Sequence, residues 1–191
     1  MGNLGHERIN VLFELGKILD ELSREQNIKL TMRIYSSTVL TPEQKQFIKE
    51  CNCIEMMGFA TSDQINSIIE ESDFLLHVES FSENFRKMVR LSLSTKIGEY
   101  LSSNRCMIAI GPREIASVEY LAERKLALVI DNNDHKKMKD NILHIIRSGD
   151  DRQIYIERSL EEYESRFSQE KVDKMLHMII DNALNETSKS G

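Results

Sequence analysis

Two short stretches carry residue types and spacings that could do chemistry. In STKIGEYL, Lys96 and Glu99 are three residues apart near the start of a short helix that Ser94 or Thr95 can cap, so they share one side of it. The positive end of the helix dipole adds to the lysine's attraction for an anion such as a pyrophosphate oxygen. A carboxylate placed like Glu99 can accept both hydroxyls of a ribose as a bidentate pair. The plainer alternative is a surface salt bridge between the two, worth a few tenths of a kcal/mol. In GNLGHER, Gly2 and Gly5 flank Asn3 and Leu4 just before a helix, a loop that lets a phosphate approach backbone N–H groups, with Arg8 in the first turn. An ordinary turn into a helix would read the same way.

Other patterns argue against competing chemistries. The glycine loop lacks the third glycine and the tight G-x-G of a dinucleotide fingerprint, and no G-x-x-x-x-G-K-[ST] occurs. The histidines are scattered; His77 falls in an apolar strand and His6 in the glycine loop, while His135, His144 and His177 fall in the helical tail. Cys51, Cys53 and Cys106 have no partner at zinc-like spacing and read as reduced, buried small hydrophobes. A net charge of −6 and a pI near 5.5 give no general attraction for nucleic acid. With no apolar run long enough for a membrane span and no signal-peptide core, the expected location is cytoplasmic.

The elements that must position these residues follow from periodicity. Ile9, Leu12, Leu15, Ile18, Leu19 and Leu22 recur at three and four, predicting a helix over residues 6–25. Strands are expected over residues 28–36, 53–58, 73–79, 105–110 and 126–130, and helices over 42–51, 62–71, 95–103 and 113–123. The polar stretch SFSENFRKMVRLS reads as a loop with a turn of helix, and the tail as helices over 134–148, 151–165 and 168–185. Strands alternating with helices predict an α/β fold, a doubly wound parallel sheet covered on both faces. Residues 1–150 would form the domain and 151–191 a helical extension. Val172, Met175, Leu176, Ile179, Ile180 and Leu184 form a stripe at helical spacing that reads as packing on a neighbouring surface.

Such a sheet normally starts with a strand leading into its first loop, yet here the loop comes first, so the first strand is expected to be missing and two neighbouring strands left unpaired or pulled together. Ligands of open parallel sheets bind at the carboxyl ends of the strands. The candidate loops are therefore residues 2–8, 58–61, 79–90, 95–99 and 111–114.

GNLGHER opening a helix, a strand ending in Gly58-Phe59-Ala60, and STKIGEYLSSNRCMIAIGP together resemble the C-terminal, donor-binding domain of GT-B glycosyltransferases. They are most similar to the large retaining group called family four, whose usual form is S-x-K, E-Y-L-A and a P-V-I-A strand. The resemblance spans nearly the whole chain. It implies a Rossmann-like half of a GT-B fold that binds a nucleotide sugar, UDP- or GDP-linked, without a tightly bound metal. It further implies phosphate contacts from Gly2, Asn3 and Gly5, charge neutralisation by Arg8 and Lys96, a nucleobase bordered by Gly58, Phe59 and Ala60, and a ribose held by Glu99.

Two positions depart from the pattern. Leu91 stands where many members have a second glutamate, leaving Glu83 as a substitute, and Phe13 stands where a lysine is common. The resemblance also implies an absent N-terminal domain that brings a glycan or lipid-linked acceptor and any peripheral membrane contact, with the last helix exposing its apolar stripe. The fragment alone would be inactive, and the full enzyme would act in bacterial-type surface polysaccharide synthesis. The alternatives are half of a sugar-nucleotide 2-epimerase and a non-catalytic α/β protein-interaction module.

Overall fold

The computed structural model describes residues 4, 5 and 7–189, with side chains through residue 180. Helix α1 (Arg8–Gln26) buries Ile9, Leu12, Leu15, Ile18 and Leu22 along one stripe and ends at Asn27 in the left-handed region, whose N–H donates to the Ser23 carbonyl. Strand β1 (Met32–Tyr35) and α2 (Pro42–Glu50) follow. Thr41 caps α2: its hydroxyl accepts from the Gln44 N–H, and the Gln44 side chain accepts from the Thr41 N–H. After β2 (Ile54–Gly58), Gln64 in α3 (Ser62–Glu70) accepts from the Thr61 N–H in the same manner.

The second half runs β3 (Phe74–Val78), α4 (Glu83–Val89), α5 (Lys96–Leu101), β4 (Cys106–Ile110), α6 (Ala116–Glu123) and β5 (Leu128–Ile130). Three helices close the chain: α7 (His135–Arg147), α8 (Gly149–Glu162) and, after a π-helical turn (Tyr163–Phe167), α9 (Gln169–Lys189).

All strand pairs are parallel, in two separate sheets: β1 with β2, and β3–β4–β5. Alternation splits the core between two faces. Met32, Ile34, Leu76, Val78, Ile108 and Ile130 face the side covered by α1 and α7, where Tyr155 and Ile156 of α8 also pack. Leu75, Met107 and Ala109 face α5 and α6, with Phe167 of the π-helical turn packed alongside. Among the described residues β1 pairs only with β2 and β3 only with β4, so the strands form two sheets in place of one.

The elements differ from the expectation in three places. Strand β1 starts at Met32, where its partner β2 begins with Ile54, and residues 28–31 have no strand beside them. The stretch read as a loop contains α4, a helix with no buried residue and hence no apolar period to reveal it. The stripe on α9 is not packed as its periodicity suggests: Val172, Met175, Leu176, Ile179 and Ile180 are exposed, and Leu184 lies outside the described side chains. Among the described residues no helix is long and apolar enough to cross a membrane.

Candidate functional site

Because every strand runs the same way, Tyr35, Gly58, Val78 and Ile110 end on one edge of the two sheets. Arg8, the first residue of α1, reaches that edge and binds Glu79 through both Nη2 (2.9 Å) and Nε (3.0 Å), each to the same carboxylate oxygen. Glu79 is buried, and its N–H donates to the Ile110 carbonyl across the β3–β4 pair at 2.8 Å. Gly111 makes room for it: a Cβ there would lie 2.8 Å from the Glu79 Cβ. Arg8 is therefore not a free cation at the glycine loop, since a buried carboxylate already balances its charge.

Beside this pair, His77 Nε2 and Ser117 Oγ share a hydrogen bond of 2.9 Å, and the same nitrogen is 3.8 Å from the other Glu79 oxygen. A nearby carboxylate would favour the imidazolium. Burial and the Arg8 charge outweigh it and push the His77 pKa down to about 4, leaving a neutral ring. Periodicity carried a faint signal of this cluster, because His77 and Glu79 share the parity of buried Leu75 on an otherwise apolar strand. Their partners Arg8 and Ser117, 71 and 40 residues away respectively, carry no local signal.

Lys96 and Glu99 lie on α5, whose other side buries Ile97, Tyr100 and Leu101. Among the described residues neither forms an ion pair, so the surface salt bridge left open by their spacing is not made. Burial, then the Glu99 charge, raises the Tyr100 pKa to about 12 and keeps its phenol protonated.

A cavity of about 410 Å³ opens between β1 and β3, with Arg8, Tyr35, Glu79, Lys96 and Tyr100 in its wall. It thus brings together two of the expected residues, Arg8 and Lys96. Glu99 is exposed on α5 outside this lining. Gly58, Phe59 and Ala60 end the next strand outward: Gly58 has φ 75° and Phe59 is 74% exposed. Gly5 accepts from the Arg8 N–H at 3.3 Å, while Gly2, Asn3 and His6 lie outside the described residues. Glu83 pairs with Lys87 at 3.1 Å on the exposed surface and is absent from the cavity wall. A second hollow of about 460 Å³ beside the start of α1 is lined by Glu7 and Glu14, which disfavours an anion. No group of three or more His, Cys, Asp or Glu that could hold a metal ion occurs among the described residues.

No known family profile matches the sequence, and no curated protein sequence does. Solved structures do match, 22 chains in all. One is the crystal structure of alpha,alpha-trehalose 6-phosphate synthase from Burkholderia multivorans, with a TM-score of 0.65 at 12% identity over 94% of this chain and 41% of that one. The chain thus spans less than half the length of that protein. Likeness at this identity is likeness of fold: this chain has an α/β, Rossmann-like fold shared with one part of that structure.

Proposed function

We propose that this chain is the donor-binding half of a glycosyltransferase of the family-four type, which takes a sugar from a UDP- or GDP-sugar and passes it, with retention, to a glycan or lipid-linked acceptor held by another domain. The observation that carries the reading is Lys96, a cation without an ion-pair partner among the described residues, in the wall of a cavity at the carboxyl edge of a GT-B-like sheet. Glu99 follows it one turn on as an exposed residue whose carboxylate can accept from the hydroxyls of a ribose. Phe59, exposed after β2, offers a face on which a base can rest beside Gly58 and Ala60. Gly2, Asn3 and Gly5 would present backbone N–H groups to the phosphates.

The chemistry is positioning and charge neutralisation. Negative charge grows on the leaving diphosphate as the glycosidic bond breaks, and a cation fixed beside it lowers the barrier. Lys96 supplies that charge outright. Arg8 can contribute only while shared with Glu79, so its effect is weaker than a free arginine's. The setting would be bacterial-type surface polysaccharide synthesis on the cytoplasmic side.

Calorimetric titration with UDP, GDP and ADP tests the reading. Preference for one diphosphate, weakened at least about tenfold by Glu99→Ala and by Lys96→Ala, supports it. Equal binding by both variants, or no binding of any diphosphate at millimolar concentration, overturns it. The exposed stripe on α9 favours one other reading, a protein-interaction module, under which both substitutions are silent.

A further inference from the structure

The two oxygens of the Glu79 carboxylate face different partners. Oε2 takes both N–H groups of Arg8, at 2.9 and 3.0 Å. Oε1 accepts no hydrogen bond among the described residues and lies 3.8 Å from His77 Nε2, the nitrogen that shares a hydrogen bond of 2.9 Å with Ser117 Oγ. Arg8, His77 and Glu79 all line the cavity in whose wall Lys96 stands.

That wall is short of positive charge for a diphosphate. Arg8 and Glu79 cancel, Arg33 is shared between Glu55 and Glu71, and Lys96 is left to balance a ligand that carries more than one negative charge.

We infer that His77 is the reserve cation of this cavity: it takes one proton from solution when a diphosphate enters, and the imidazolium pairs through Nε2–H with Glu79 Oε1 while Arg8 keeps Oε2. One N–H bond forms, no other covalent bond changes, and the three side chains pass from no net charge to one positive charge. The inference rests on the donor-binding reading and adds to it a proton that travels with the ligand.

What keeps the ring neutral in the free chain is what a diphosphate changes. Burial opposes the imidazolium first and the Arg8 charge second, holding the ring near 4. Negative charge brought beside Arg8 offsets the second cause directly, and in a poorly solvated wall it acts strongly. The other neighbours do not supply that charge. Helix α6 offers Ser117, with Glu119 exposed; α5 offers Lys96 and Tyr100, with Glu99 exposed; β1 offers Arg33 and Tyr35; β4 places Ala109 beside His77. Glu79 is thus the one acidic group in the cavity wall among the described residues, and its free oxygen already faces the ring. Ser117 suits both states, because a hydroxyl donates to a bare Nε2 and accepts from a protonated one.

The test follows the His77 ring signal by NMR from pH 4 to 8, in the free chain and with UDP, GDP or ADP at saturation. Calorimetry of the same ligands on wild type and His77→Gln, in buffers of different ionisation enthalpy, runs alongside. With a diphosphate bound, the His77 midpoint should rise by at least about 1.5 pH units. Because the bound form then holds the proton more firmly, affinity should gain as pH falls: between pH 7 and 5 the wild type should improve at least about threefold relative to His77→Gln, with more proton uptake per ligand. The comparison with the variant cancels the ligand's own titration, and a purely structural histidine would change affinity equally at every pH. A diphosphate that binds while the His77 midpoint stays in place, or a wild type and variant with the same pH profile, overturns the inference and leaves the donor-binding reading standing. No binding of any diphosphate overturns both. The NMR measurement needs no variant, so it decides the matter even where His77→Gln does not fold.

Discussion

The two half-sheets are built from similar units yet held in different ways. In the three-stranded half, β4 is buried at every position and has packing on both faces. In the two-stranded half, β1 and β2 bury one face against α1 and turn Arg33, Glu55 and Met57 to solvent, while α2 buries no residue fully and α3 only Ile69. The first half is a closed core; the second depends on α1, whose Ile18 and Leu22 are fully buried. Helix α1 therefore carries the stability of the half with the fewest contacts of its own.

Substitutions can break that contrast. The largest expected effect is Leu101→Ala in α5: its side chain is fully buried in the three-stranded half, and truncation should cost about 2–5 kcal/mol by urea unfolding. Met57→Ala on β2 should stay within about 0.5 kcal/mol; equal losses would show the two halves to be equivalently packed. Next is Gly111→Ala, whose new methyl meets the Glu79 Cβ and backbone at 2.8 and 3.3 Å and should cost about 1–3 kcal/mol while loosening the Arg8 pair. Unfolding together with the NMR signal of the Arg8 side chain reads both effects.

The contribution of His77 to the pH dependence is smaller. His77 titrates near 4 when folded and near 6.5 when unfolded, so between those values the unfolded chain takes up the proton. Its share of stability is complete above pH 6.5 and declines as pH falls toward 4. Urea midpoints across this range should drop in the wild type and flatten in His77→Gln. Smallest is Arg33→Ala, which removes half-exposed pairs to Glu55 and Glu71 at 3.6 and 3.5 Å and should change the urea midpoint by less than about 1 kcal/mol. A larger loss would mean that the solvent face of the two-stranded half is covered in solution.

The same contrast explains what the sequence made legible. Local signals were dependable: the stripe on α1, the Thr41 cap and the strand alternation all place their elements within a few residues. Helix α4 escaped because it buries nothing fully, and its stability comes from pairs such as Arg86 with Glu114 at 2.9 Å, which no periodicity records. The place of Lys96 at the start of a helix was legible because its setting is one short segment. The Arg8–Glu79 pair was not, because it forms only when the first turn of α1 meets the end of β3. The break in the sheet was foreseeable from strand order, but its form as a lined gap depends on both edges holding their places without a partner.

The exposed stripe on α9 sets the colloidal behaviour of the chain. A net charge of −6 keeps copies apart at long range when salt is low, while Val172, Met175, Leu176, Ile179 and Ile180 offer short-range adhesion that charge does not cancel. At about 0.15 M salt the repulsion reaches only about 8 Å, so copies can approach until the stripes touch. Attraction between copies therefore grows as ionic strength rises, the reverse of a solution in which opposite charges draw molecules together, and low salt is the condition in which this chain stays best dispersed.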